Sequence, residues 1–319
     1  MKLLPGLLRQ PAGVFLLLLR SSIDSSSTPP RRMPVMAALA LVLLSSCARS
    51  TGSAGGKQFT DEIGRQLTLA APPRRIVSLA PSITETLFAL GLKERIVGVT
   101  SFCDYPPDAA RVERVGDTLR PSTEKIVALK ADLVVISTSS QLEPFVKRLD
   151  DLGVPVYVSN PRDLEGVLRS IEKIGEVTGA ADRAREVIGE MRERVEEIAS
   201  RVEGRGQPPV LILLGVQPLI TAGGGSFLSD LVKRAGGRSI SDDIASDYPQ
   251  FSLETALARR PEVIFLQAGE SKLPDRLNDT PAARSGSVFH LNDDLLLRPG
   301  PRIVDGLEEM AKKIHPGFD

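Results

Sequence analysis

Two carboxylates sit in matching surroundings 130 residues apart. Ser122-Thr-Glu124-Lys-Ile-Val-Ala128-Leu-Lys-Ala-Asp132-Leu-Val-Val-Ile recurs as Ser252-Leu-Glu254-Thr-Ala-Leu-Ala258-Arg-Arg-Pro-Glu262-Val-Ile-Phe-Leu. Ser, Glu, Ala, a basic residue, an acid and an apolar run fall at equal steps. Ser is a helix N-cap type, so each Glu falls in a first helical turn. A carboxylate there complements the helix dipole by ~0.3–1 kcal/mol. A pair at equivalent places in two halves also offers two exposed anions, able to dock on two basic sites of a pseudo-symmetric partner.

Other candidates lie near strand ends, where open α/β sheets bind ligands. Ser101-Phe102-Cys103-Asp104-Tyr105-Pro106-Pro107 follows an apolar run, and Tyr248-Pro249 puts a similar aromatic in the second half. Phe102, Cys103, Tyr105 and Tyr248 can face a ligand; core or rim packing is the alternative for the aromatics. Arg298-Pro-Gly-Pro-Arg302 leads into the last helix, and an arginine in a cleft suits a carboxylate or phosphate. Gly223-Gly-Gly225-Ser226 can cradle an anion, but it lacks the Lys-Ser/Thr ending of a phosphate loop, and a plain loop capped by Ser226 is the competing reading. Catalysis has little support. No Gly-x-Ser-x-Gly elbow occurs. His290 and His315 are the only imidazoles, neither beside a nucleophile or metal partner. His315 ends the last helix, where an imidazolium complements the dipole.

These residues must be held by a chain of 319 residues and 34.3 kDa, room for two domains. It is 42% hydrophobic and 25% charged, which fits a globular protein and not a disordered one. Lys+Arg and Asp+Glu are equal at 40, so no basic excess points to nucleic acid. Aromatics make up 4% with no Trp, lean for stacking on bases or sugars. Two His and two Cys exclude a Cys-rich zinc domain or a His-rich metal trap.

The first 46 residues read as a leader. Arg31 and Arg32 precede the apolar run of residues 36–46, which is too short to span a bilayer comfortably. Leu44-Ser45-Ser46-Cys47 resembles a bacterial lipobox, which implies cleavage before Cys47 and lipidation of its thiol; a plain signal peptide is the alternative. A Gly/Ser-rich stretch from Ser50 to Gly56 follows. Val14 to Leu19 is a second apolar run and Ser21 to Pro30 is low in complexity. Both a downstream start and a long leader accommodate them. Removal of the leader makes the chain mildly acidic and leaves Cys103 without an intramolecular disulfide partner.

Beyond the leader, short apolar runs alternate with helical patterns, which predicts parallel α/β sheets. Strands are expected at Ile76–Leu79, Ile96–Val99, Leu133–Ile136 and Val154–Val158, with helices near 83–90, 123–130, 142–152 and 163–178. The pattern resumes with a strand at Val210–Leu214, helices at 227–235 and 253–259, strands at Val263–Leu266 and near Val288, and a helix from about 301 to 314. Between the sets, Ala184, Val187, Ile188, Met191, Val195, Ile198 and Val202 form one stripe on a helix of about 22 residues, a rod of roughly 33 Å. The expected organisation is a leader (1–46), a lipidated Cys and flexible tether (47–72), an N-terminal lobe (73–180), a connecting helix (181–204) and a C-terminal lobe (205–319).

From about Arg75 to His315 the chain resembles the substrate-binding lipoproteins and periplasmic proteins of ABC importers for cobalamin, haem and ferric siderophores, the cobalamin branch in particular. The resemblance rests on Arg75-Ile-Val-Ser-Leu-Ala-Pro-Ser82-x-Thr-Glu, on Ile96-Val-Gly-Val-Thr-Ser-x-Cys-Asp-Tyr-Pro-Pro107, on the Glu124 segment, on Tyr248-Pro-Gln-x-Ser-x-Glu254 and on Arg298-Pro-Gly-Pro-Arg-Ile. It implies a class III periplasmic-binding fold: two Rossmann-like lobes joined by one long rigid helix, with the ligand between them and small opening motions. It implies that Glu124 and Glu254 pair with arginines of two permease subunits. Phe102 takes the place of a family Tyr and Tyr248 that of a family Trp. Asp294 through Arg298 covers the cobalamin-contacting loop, with Leu295 and Leu296 where that loop carries aromatics. The other cleft tryptophans and the disulfide of the cobalamin protein have no counterpart.

The expected function is therefore non-enzymatic: a lipid-anchored monomer in the cell envelope that captures a corrinoid and hands it to an ABC permease with its ATPase. Its ligand contacts would be Phe102, Tyr105, Tyr248, Asp294, Leu295, Leu296, Arg298 and Arg302, with no resident cofactor or metal. Haem, ligated by Tyr105 or Tyr248, and a ferric siderophore held by the arginines are alternatives of the same class. A surface sensor module and a secreted hydrolase are alternatives of other classes.

Overall fold

The structure, a computed structural model, describes residues 56–137, 143–269 and 272–318. The leader and Cys47 lie outside the described residues. The first sheet contains β3 (Ile76–Ser78), β4 (Ile96–Val99), β5 (Leu133–Ser137) and β6 (Val156–Ser159), in the order β4-β3-β5-β6 and parallel throughout. β3 and β6 are buried at every position, as a strand with both faces covered must be. Ile76, Leu133, Val135 and Tyr157 point into one core, Val77, Val134 and Ile136 into another. The intervening helices are α1 (Pro81–Ala89), α2 (Thr123–Ala128), α3 (Glu143–Asp151) and α4 (Leu164–Thr178).

The second sheet follows the long helix α5 (Ala181–Val202) and runs β11-β10-β7-β8, with β9 also on β7. Its members are β7 (Pro209–Val216), β8 (Leu219–Thr221), β9 (Arg238–Ser239), β10 (Val263–Leu266) and β11 (Val288–His290). All pairings are parallel except β7 with β8. Its helices are α6 (Phe227–Arg234), α7 (Leu253–Ala258), α8 (Pro281–Ser285), α9 (Asp293–Leu296) and α10 (Ile303–Ile314).

α5 is more than a linker. Ala184, Val187, Met191 and Ile198 are buried, and they join one hydrophobic core that runs from the first sheet to Val210, Phe265 and Met310 of the second half. A Cβ on Gly175 of α4 would lie 2.5 Å from the Ala184 Cβ, so only glycine permits the close approach of α4 and α5. Arg194 of α5 donates to Asp305 at 2.6 Å and to Glu308 at 3.0 Å, both on α10. The helix is thus fastened to both lobes, and burial of its stripe makes the join stiff.

Three expectations need correction. The segment assigned to a flexible tether contains a hairpin, β1 (Lys57–Thr60) and β2 (Gln66–Leu69). Leu67 and Leu69 are buried in the main core, while Glu62 accepts from the Tyr157 hydroxyl at 3.2 Å and the Asn160 amide at 2.7 Å. Four-residue strands carry too little alternation to read; contacts distant in sequence fix them. Cys103 is fully buried, with its sulfur 3.1 Å from the Thr100 hydroxyl, and faces no ligand. His315 is buried too, its Nε2 has no hydrogen-bond partner, and burial, then Arg205 nearby, lowers its pKa. It is a neutral core imidazole, not a dipole-capping cation.

Candidate functional site

A cavity of about 380 Å³ lies where the two sheets face each other, within the usual range of ligand pockets. Its space reaches about 1180 Å³ when the open mouth is included. The first sheet contributes Ser137 at the end of β5, Asn160–Arg162 just beyond β6, and Pro81 and Ser82 at the start of α1. These are C-terminal strand ends, where open α/β sheets place their ligands. The second half contributes Phe227 at the start of α6, Tyr248, and Leu296–Pro299 after α9.

The glycine run is explained by packing. A Cβ on Gly223 or Gly224 would stand 2.0 Å from the backbone oxygen of Ser246 or Asp242. Ser226 caps α6, accepting from the Ser229 amide at 3.2 Å. The loop brings the Tyr248 segment against α6.

The candidate contacts distribute unevenly. Tyr248, Leu296 and Arg298 line the cavity. Tyr248 is half exposed, and burial of its hydroxyl, then the neighbouring Asp247, raises the phenol pKa. Leu296 is buried and, with Leu295, packs over Gly306 of α10; Leu297 is the leucine that stands exposed at the wall. Phe102 and Tyr105 are exposed on the loop after β4, outside the lining. Tyr105 instead carries the Arg302 guanidinium on its ring face, 3.8 Å from the centroid.

Charge organises the floor. Arg298 reaches across from the C-terminal half to Asp104, with contacts of 2.6 and 3.3 Å, and holds Asp294 at 2.5 Å. Arg302 donates through Nε and Nη2 to Glu85 at 2.9 and 2.7 Å, and Arg298 lies 3.5 Å from the same carboxylate. The Arg298 hydrogen bond holds the Asp104 carboxyl below the usual carboxylate range against its partial burial. Burial would depress Arg298, but Asp104, Asp294 and Glu85 together raise its pKa. On the opposite wall Arg162 meets Asp247 at 3.3 Å, again between halves. Arg162, Asp247 and Phe227 escaped the sequence reading, whereas Glu85, Asp104 and Leu297 stood in marked segments, Arg75–Glu85, Ser101–Pro107 and Asp294–Arg298, without a role of their own.

The two repeat carboxylates occupy equivalent caps. Ser122 and Ser252 each accept from an amide three residues on at 3.2 Å, and each hydroxyl donates to its Glu at 3.1 Å. Glu124 and Glu254 are exposed. Their own backbone amides, then the serines, lower both pKa values; Arg276, 2.7 Å from Glu254, adds to the second. Among the described residues no cluster of His, Cys, Asp and Glu could hold a metal ion.

A family model described as periplasmic binding protein matches residues 76–295. The vitamin B12-binding protein of Photorhabdus laumondii is 27% identical over 267 residues, covering 84% of this chain and 97% of its own. An ABC transporter substrate-binding lipoprotein of Bacillus subtilis is 29% identical over 299 residues, 87% of this chain and 95% of its own. Among solved structures, the periplasmic vitamin B12 binding protein BtuF of Vibrio cholerae has 29% identity and a TM-score of 0.68, over 76% of this chain and 97% of that one. The periplasmic haem-binding protein RhuT of a Roseiflexus species has 26% identity and a TM-score of 0.69, over 77% of this chain and 99% of that one. Two α/β lobes, a long helix fastened to both and a cleft at the strand ends agree with these likenesses: the chain belongs to the periplasmic binding protein family, as a non-enzymatic substrate-binding protein of an ABC importer.

Proposed function

We propose that the cleft takes a corrinoid of the cobalamin type and that the loaded protein delivers it to an ABC permease. The observation that carries this is the Arg298–Asp294 pair at the cavity floor beside the Tyr248 wall. It offers a donor and an acceptor to amide side chains and a flat ring to a macrocycle. The vitamin B12-binding relatives support the same ligand.

Titration of the purified protein with cyanocobalamin, haemin and a ferric siderophore tests the reading through tyrosine fluorescence, since the chain has no Trp. Saturable quenching by cyanocobalamin at micromolar concentration is the expected result; none with it and saturation by haemin would overturn the assignment.

Delivery rests on Glu124 and Glu254, two exposed, fully ionised carboxylates on matching caps. Glu124→Ala combined with Glu254→Ala is expected to bind ligand as before and to lose stimulation of the permease ATPase. Unchanged stimulation rejects the docking role. The same reading has Cys47 lipidated and the protein held at the envelope. Labelled fatty acid should enter the wild type and not Cys47→Ser.

A further inference from the structure

All three arginines in or beside the cavity are already matched. Arg298 has Asp104 and Asp294, Arg302 has Glu85, and Arg162 has Asp247. Three guanidinium groups thus meet four carboxylates, and an anionic ligand finds no unpaired cation among them. The partners differ in how firmly they are placed. Glu85 is buried in the floor with its side chain 2% exposed. Asp294 sits one turn from Arg298 on the same lobe. Asp104 comes from the other lobe and engages both terminal nitrogens of Arg298 while its own side chain remains 63% exposed at the mouth. Asp294 is as exposed, at 61%, so what sets Asp104 apart is that it reaches Arg298 from the other lobe.

We propose that Asp104, by neutralising Arg298 across the cleft, is the residue that sets the charge class of the ligand: uncharged, amide-bearing macrocycles are admitted and carboxylate-bearing ones are turned away. This deepens the corrinoid reading and rests on it for the identity of the macrocycle, though not for the sign of the charge. An anion must either displace Asp104 from Arg298 or lie beside it. Each course costs Coulomb energy in a partly dehydrated site, where charges several ångströms apart interact more strongly than in bulk water. Rejection by an unmatched charge is the usual device by which a site excludes a close analogue.

The test compares cyanocobalamin with its monocarboxylic acid, in which one propionamide is hydrolysed to a carboxylate and the macrocycle is unchanged. The readout is the ratio of the two dissociation constants, so that a general loss of affinity in a variant cancels. The wild type is expected to favour the amide by about tenfold or more, and Asp104→Asn to bring the ratio to within about threefold of unity. Asp104→Glu, which restores the charge, should return the preference. Equal ratios in wild type and Asp104→Asn overturn the proposal. Haemin, which carries two propionates, separates this outcome from failure of the corrinoid reading. If no corrinoid binds, tighter haemin binding by Asp104→Asn than by wild type upholds the role of Asp104, and unchanged haemin binding refutes it.

Discussion

Glu85 ties the two lobes together through a buried ion pair. Its side chain is 2% exposed, it accepts two hydrogen bonds from Arg302, and Arg298 stands 3.5 Å away. Glu85→Gln keeps the shape and removes the charge. Breaking a buried pair from one side costs about 3–5 kcal/mol, because the other charge is left without compensation. Here the arginine side chains are 20% and 15% exposed, and Asp104 and Asp294 still serve Arg298. The expected loss is therefore near the lower end, about 3 kcal/mol. For a chain of this size that lowers the melting temperature by about 6–12 °C. Thermal and urea denaturation followed by circular dichroism measure it. Glu85→Met with Arg302→Met removes both charges and is expected to recover at least half of the loss, since an apolar replacement of a buried pair is often near neutral. A Glu85→Gln protein within about 0.5 kcal/mol of wild type would refute the reasoning, placing the pair with ordinary surface charges.

Two further predictions test the cleft and the long helix. The Asp104 pKa is depressed in the folded protein by the Arg298 hydrogen bond. A carboxyl so depressed contributes stability above its unfolded pKa of about 3.9 and loses it as pH falls through the folded value. The difference in urea midpoint between wild type and Asp104→Asn should hold from neutral pH down to about pH 4 and shrink only below that; shrinkage already at pH 6 would contradict the assigned pairing. Gly224→Ala should destabilise by about 1–3 kcal/mol because its methyl would meet the Asp242 carbonyl oxygen. Gly189→Ala, in the middle of α5 with nothing within 4 Å of a new Cβ, should stabilise by about 0.5–1 kcal/mol in the same denaturation assay.

The elements readable in advance were those whose periodicity is long or whose caps are local. The 22 residues of α5 announce themselves through a stripe at three- and four-residue steps, and its helical bounds are those expected. Ser122 and Ser252 needed only the next three residues to form their caps, so the two exposed glutamates were placed from composition and spacing. The hairpin of residues 57–69 was missed because its strands are four residues long and its partners, Tyr157 and Asn160, lie about 100 positions away.

The site divides in the same way. Tyr248 and Arg298 stand at strand and helix boundaries that the sequence marks, and both reach the cavity. Leu296 lines the cavity as expected, whereas Leu295 does not, and both pack against Gly306, whose missing side chain lets α9 settle onto α10. Leu297 is left to face the opening. Tyr105, a ligand candidate by position, is occupied by the Arg302 guanidinium.

Amino-acid order alone determined the two α/β halves, the stiff rod between them and the paired acidic caps, because these depend on neighbours within one or two turns. Only the folded chain decided which charges meet. Asp104 and Arg298 are 194 residues apart, and Glu85 and Arg302 are 217 apart. Coulomb attraction depends on distance in space, and burial on what surrounds a group, so neither the matched arginines nor the acidic excess at the floor exists until both lobes have closed on α5.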